Sequence, residues 1–303
     1  MSKKTKKGQM DELGAIVLAA VVLVVIVFVI IMVRNAQTTE IADLKCTESI
    51  QSHINTIRLF LPPEPIVCPT QYVDMSGSDK MNIKAKLAQE QVLCWHQWAK
   101  GEENLFPEDE GVFCHVCYVN EFKGRSAKID DYVEYLETHK VSDVAKKIST
   151  YERQDPKIID YLSPYSTESF EKVVGEKEGV LEDLKITSID TSEDQAVIFF
   201  YVKGETAIHD FAEKLFVGSA IVAGGWTVTA LLTSMMSSSP AFGPAGLIVA
   251  GVSAVGLTVA TLILRQEGLQ ARLAGTTILP WTENTLVELN CTYIPVSQAE
   301  ANT

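Results

Sequence analysis

Charge is missing from two long stretches of this 303-residue chain. No Asp, Glu, Lys or Arg occurs from Leu13 to Val33, nor from Leu215 to Leu264. Runs of that length without charge are poor candidates for solvated surface. A helix crossing roughly 30 Å of hydrocarbon needs about 20 apolar residues. On that measure the first run holds one spanning helix. The second holds two, Phe216 to Met236 and Ala241 to Leu264, separated by Ser237-Ser238-Ser239-Pro240 and Gly243-Pro244.

Other absences narrow the chemistry. No G-x-S-x-G, Walker or dinucleotide-binding pattern occurs, and Gly224-Gly225 lies inside an apolar run instead of following a strand. There is no internal repeat and no long low-complexity tract. Basic charge is scarce. The net charge is −13, although Lys3, Lys4, Lys6 and Lys7 add positive charge at the N-terminus. An acidic remainder repels phosphate backbones, so no nucleic-acid partner is expected.

The six cysteines are Cys46, Cys68, Cys94, Cys114, Cys117 and Cys291, all outside the apolar runs. An even number beyond a membrane anchor suits three disulfides in an oxidising compartment. The pairing is open. Cys291 lies far from the others in sequence, and a bridge to Cys46 or Cys68 would join the two ends of the polar region.

The N-terminal lysines precede the first apolar run, and Arg34 follows it. The positive-inside rule then puts the N-terminus in the cytoplasm and residue 35 onward outside. The apolar stretch is too long for a secretory h-region and ends without a small-residue cleavage site. It reads as a retained anchor. The segment Lys6-Lys7-Gly8-Gln9-Met10-Asp11-Glu12-Leu13 resembles an archaeal class III signal of the prepilin or archaellin type. That resemblance covers residues 1–33. It implies cleavage between Gly8 and Gln9, with the apolar helix left on the mature protein.

In the second run, small residues recur four apart at Ser219, Ala223 and Thr227 and again at Gly246, Ala250 and Ala254. On helices this lines one face with small side chains and lets two backbones approach closely in lipid. A tightly packed helical pair is expected, with a fusion or pore-forming hairpin as the rival. Two crossings return the chain outside at Arg265, which puts Cys291 in the same compartment as the other cysteines.

In the polar region, Asp79 can cap a helix from about Lys80 to Lys100, with Gly101 as its stop. Ile83, Leu87, Cys94, Trp95 and Trp98 fall on one face of it. Val112 to Phe122 reads as a strand with Cys114, Val116 and Tyr118 on one side and Phe113, His115, Cys117 and Val119 on the other. Helices are expected over Ile129 to Leu136 and Val141 to Ile148. A β-hairpin is expected from Leu184 to Ile189 and Ala196 to Val202, and further strands at Thr276 to Leu279 and Leu286 to Tyr293.

Cys114-His115-Val116-Cys117 matches C-x-x-C, the pattern of thiol–disulfide oxidoreductases. Redox pairs of that type set the first thiol at a helix N-terminus. Here the motif lies in a strand, where residues three apart face opposite sides, so different partners are favoured. A zinc site from Cys94, His96, Cys114 and Cys117 meets the same parity problem. Trp95, Trp98 and Phe106 read as core in preference to an aromatic binding surface. Asn290-Cys291-Thr292 is an N-glycosylation sequon.

These readings give an α+β ectodomain with three transmembrane helices, one an N-terminal anchor and two forming an inserted Gly/Ala-rich helical hairpin. The expected division is a basic cytoplasmic tail (1–12), an anchor (13–33), an extracytoplasmic first part (34–215), the hairpin (216–264) and an extracytoplasmic C-terminal part (265–303). The expected role is a membrane-anchored structural or binding protein with a disulfide-stapled domain. Its partners would be the lipid bilayer and another protein or envelope component. No metal and no cofactor is expected. The rivals are a tethered oxidoreductase using Cys114 and Cys117, and a membrane-perturbing protein acting through 216–264.

Overall fold

The computed structural model describes residues 21–27, 42–107, 109–123, 128–149, 155–162, 189–215, 221–222, 226–227, 245–253, 256–267, 270–282 and 284–293. The chain divides into two units, Met1–Lys45 and Cys46–Thr303. In the first, residues 21–27 are helical and their apolar side chains are exposed.

The second unit is a mixed α/β fold built on a seven-stranded sheet. Its strands are β1 (Gln71–Asp74), β2 (Gly111–Glu121), β5 (Gln195–Lys203), β8 (Ala245–Ser253), β9 (Gly256–Glu267), β10 (Gln270–Pro280) and β11 (Thr292–Tyr293). The order is β1-β2-β5-β10-β9-β8, with β11 also on β2. Two short pairs stand apart: β3 (Lys128–Ile129) with β4 (Ile189–Asp190), and β6 (Ile221–Val222) with β7 (Trp226–Thr227).

Three transmembrane helices are not what the structure holds. No helix among the described residues is long and apolar enough to cross a membrane. The described parts of 216–264 are strands, and β8, β9 and β10 form antiparallel ladders that join the sheet through β5. The physical reason is that a charge-free run bounded by Gly and Pro suits an interior strand as well as a spanning helix. The β-branched residues of Thr258-Val259-Ala260-Thr261-Leu262-Ile263 favour the strand. The four-residue spacing of small side chains defines a face only on a helix, so it loses its meaning here. Of the expected anchor over 13–33, only residues 21–27 fall within the described residues.

Helices cover one face of the sheet. They are α1 (residues 42–58), α2 (Lys80–Gln97), α3 (Tyr132–Thr138), α4 (Val141–Val144), α5 (Lys146–Ser149) and α6 (Ile158–Leu162). Asp79 caps α2 as its sequence predicts, accepting a hydrogen bond from Asn82 N at 2.8 Å. Ile83, Leu87, Cys94, Trp95 and Trp98 are all buried in the core against β2 and β5. Trp98 stacks on Phe199 with centroids 4.6 Å apart. From α1, Cys46, Ile50 and Ile54 enter the same core at four-residue spacing.

Gly101 shows why the chain turns after α2. Its φ is +59°, and a methyl group there would run into Ala274 Cβ and the Trp95 ring. Glycine therefore lets the loop lie directly on β10.

The other face of the sheet is covered by α7 (Glu205–Leu215) and by the segment carrying α8 (Thr285–Glu288). Ile208, Phe211 and Leu215 of α7 are buried at helical spacing, and Phe211 lies 4.9 Å from the Phe200 ring. Every residue of β5 is buried, as befits a strand covered on both sides.

Three local expectations are corrected. Of the expected hairpin, residues 184–188 lie outside the described residues; among the described ones β4 pairs with β3, and β5 lies between β2 and β10. The stretch Leu286 to Tyr293 is mostly helix and turn, with only β11 as strand. Strand β2 carries a bulge between Val116 and Tyr118, so its alternation shifts at Cys117. Phe113, Cys117 and Tyr118 consequently all enter one core, where simple alternation puts Tyr118 on the opposite side.

Candidate functional site

Every cysteine is paired, as Cys46–Cys68, Cys94–Cys117 and Cys114–Cys291. The two thiols of C-x-x-C therefore have different partners. Strand β2 sends Cys117 toward α2 and Cys114 toward the C-terminal segment. The oxidoreductase arrangement, a bridge between Cys114 and Cys117, is absent for the parity reason seen in the sequence. The zinc arrangement fails because its thiols are consumed in disulfides. His96 instead places Nδ1 2.9 Å from the Tyr161 hydroxyl. The expected bridge from Cys291 to Cys46 or Cys68 is also corrected. Cys46 and Cys68 close a local loop, while β11 lies beside Phe113 and Cys114 and brings Cys291 to Cys114.

A half-open cavity of about 310 Å³ lies between the start of β2, α7 and the C-terminal segment. Val112, Phe211 and Leu289 supply its buried apolar lining. Exposed Glu110, Asp210 and Asn290 stand around it, with Lys214 half-buried. Of the sequon Asn290-Cys291-Thr292 singled out in the sequence, Asn290 and Thr292 line this cavity. Asn290 has φ +58° and is exposed, so a glycan on it would stand at the mouth. Gly8 and Gln9 lie outside the described residues. The sequence reading missed α7. The three-then-four spacing of Ile208, Phe211 and Leu215 was the available signal.

At the same end of β5, Lys203 is buried and crosses beneath the preceding loop. Its Nζ donates to the carbonyl oxygens of Phe106, at 3.0 Å, and Pro107. Burial lowers its pKa; the nearby carboxylate of Glu110 opposes that shift and Arg272 adds to it.

A second polar group of residues lies between α2 and β2. Glu90 is fully buried and accepts from Asn120 Nδ2 at 2.6 Å, with Lys86 Nζ 3.8 Å away. The Tyr132 hydroxyl donates to Gln91 Oε1 at 2.8 Å. Burial holds that phenol well above its usual pKa, with the Glu90 charge adding to the effect. His115 packs against Trp98 at 5.3 Å, and burial pushes its pKa down to about 4. Its Nδ1, and the indole nitrogens of Trp95 and Trp98, find no hydrogen-bond partner among the described residues. Trp95, Trp98 and Phe106 are core residues, not a binding surface.

Among the described residues, the most exposed aromatic side chain is elsewhere. Phe60 is 97 % exposed, flanked by exposed Leu59 and Leu61. It ends α1 at φ +56°. Phe60 N donates to Ile57 O at 3.0 Å and Leu61 N to Thr56 O at 2.9 Å. This is the Schellman pattern, in which the left-handed position is usually glycine. Arg58 beside it pairs with Glu103 at 2.6 Å.

Comparison of the chain with protein-family models, with curated proteins and with solved structures finds no match.

Proposed function

We propose that this chain is a membrane-tethered extracytoplasmic protein whose disulfide-stapled α/β domain serves as a scaffold or binding module for another protein or envelope component. The observation that carries the reading is the pairing of all six cysteines. Such bridges persist in oxidising compartments and are rare in the cytosol. The tether is the charge-free run from Leu13 to Val33, preceded by Lys3, Lys4, Lys6 and Lys7. Those lysines keep the N-terminus cytoplasmic, and lipid is the first partner. The class III resemblance adds cleavage between Gly8 and Gln9.

Protease added outside intact cells tests the orientation. Residues 34–303 are expected to be degraded, and protein purified without reductant is expected to hold no alkylatable thiol. Protection of the domain with cleavage of the lysine-rich tail reverses the orientation. Six free thiols overturn the extracytoplasmic placement.

A further inference from the structure

The six cysteines differ in what solvent can reach. Cys46, Cys68, Cys94, Cys114 and Cys117 are buried, and Cys291 alone is half-buried. Two of the three bridges are therefore sealed at both residues, and the third, Cys114–Cys291, is open at one. We propose that Cys114–Cys291 is a redox latch: a dithiol opens it in the folded protein, which frees the segment around Leu289 and uncovers the apolar wall formed by Val112 and Phe211.

Thiol–disulfide exchange begins with attack of a thiolate on one sulfur, and access decides which. Here that sulfur is Sγ of Cys291. The attacking thiolate bonds to it and the Sγ–Sγ bond breaks. The electron pair leaves with Sγ of Cys114, which takes up a proton. The second thiolate of the dithiol then attacks the reagent's own sulfur in the mixed disulfide and displaces Cys291, which is protonated in turn. The dithiol ends as a disulfide, having supplied two electrons and two protons, and the protein holds two thiols. A monothiol serves poorly, because Cys114 lies ready to re-close on the mixed disulfide and expel it.

What the latch holds is short. Among the described residues, β11 pairs with β2 through Thr292 and Tyr293 alone. So short a strand has little hold of its own. On the other side of Cys291, α8 is a single turn that bonds within itself. Asn290 N donates to Val287 O at 2.9 Å and Cys291 N to Leu286 O at 3.0 Å. From residue 286 to residue 290 only Leu289 is buried. The start of the segment is fixed without the bridge. Thr285 is buried, donates to Pro280 O at 3.1 Å and accepts from Thr282 N at 2.9 Å. The freed segment therefore hinges at Thr285. The wall it leaves is Val112 of β2 and Phe211 of α7, both buried and both lining the cavity with Leu289. The remaining fold keeps its own ties. Cys94–Cys117 joins α2 to β2, and Cys46–Cys68 joins α1 to the stretch before β1. The latch rests on the extracytoplasmic reading only for its oxidised starting state.

The experiment uses the full chain purified without reductant. Dithiothreitol is added to the folded protein and samples are quenched in acid at intervals. Thiols are then alkylated after unfolding and mapped by mass spectrometry. Cys114 and Cys291 are expected to open together, about tenfold or more faster than the other four, whose bridges wait for a larger opening of the structure. In protein reduced at this bridge alone, amide exchange should quicken by about tenfold or more at residues 286–293 and 206–214 and stay unchanged in α2 and β5. Reoxidation should restore the slow rates. Cys114→Ala with Cys291→Ala should show the fast pattern without reductant. Should that variant fail to fold, the reduced parent protein carries the test. Earlier opening of either other bridge, opening of all three together, or unchanged exchange at 286–293 overturns the proposal. Unfolding of the whole domain with this bridge does so too. Six free thiols before dithiothreitol overturn the extracytoplasmic reading and the latch with it. Bridged protein that opens elsewhere overturns the latch alone.

Discussion

Cys114 and Cys291 are bonded across 177 residues of sequence, from the middle of the sheet to the C-terminal segment. Cys114 is fully buried on β2, and Cys291 directly precedes β11, which runs parallel to β2 at Phe113 and Cys114. The bridge therefore holds the last described strand on the sheet. It also fixes Leu289 beside the cavity. A two-residue strand could not hold that segment by backbone hydrogen bonds alone.

The cost of losing this bridge can be set against that of losing Cys46–Cys68, which closes a loop of only 22 residues. The chain-entropy model assigns about 5 kcal/mol to the long loop and about 3 kcal/mol to the short one, as upper figures. Replacing Cys114 and Cys291 together by Ala should thus destabilise the domain more than replacing Cys46 and Cys68. Urea unfolding of the two double variants checks this. An equal or smaller loss for the long bridge would show that the unfolded chain is not its main point of action.

His115 makes stability depend on pH. Its folded-state pKa is pushed to about 4 by burial, below the unfolded value of about 6.5. The unfolded chain therefore binds a proton before the folded one does. Stability is full above about pH 6.5 and falls as the pH drops toward 4, below which both states are protonated. The shift corresponds to about 3 kcal/mol as an order of magnitude. His115→Phe keeps a ring against Trp98 and removes the titration. Its stability should be flatter than the parent's between pH 6.5 and 4. Parallel pH curves for the two proteins would remove His115 as the cause.

How much of this was legible in the sequence follows from what each pattern can distinguish. The Asp79 cap, the buried face of α2 and strand β2 were all readable, because caps and periodicity are local signals. Opposite-facing Cys114 and Cys117 were readable from strand parity. The bulge at Cys117 was not, since nothing in Val116-Cys117-Tyr118 announces an extra residue. The span 216–264 was misread because absence of charge does not choose between a spanning helix and a strand, and its described parts are strands. The partner of Cys291 depended on β11 lying beside β2, a long-range relation that the local sequence does not encode. Phe60 went unnoticed because Leu59-Phe60-Leu61 before Pro62-Pro63 resembles any apolar helix end, and its exposure belongs to the tertiary structure.

Lys203 offers the sharpest test of the loop that leads into β2. Its ammonium group is buried, which costs solvation, and is compensated by two carbonyl acceptors and the Glu110 carboxylate. Lys203→Met keeps the length and most of the apolar stem. It leaves the carbonyl oxygens of Phe106 and Pro107 without that donor, and a buried acceptor so abandoned costs roughly 1–3 kcal/mol. The gain from no longer burying a cation works against this loss. The two carbonyls outweigh it, because an acceptor left buried without its donor keeps its full desolvation penalty. The expected outcome is a net loss of about 1–2 kcal/mol, measured by urea unfolding. Amide exchange in residues 102–107 should quicken alongside it, since the bonds tie that loop to β5. Glu110→Gln tests the electrostatic part. If Lys203 and Glu110 interact, the double variant loses less than the sum of the single losses. Strict additivity would leave the carbonyls as the whole of the lysine's anchorage, and unchanged stability in Lys203→Met would deny it any structural role.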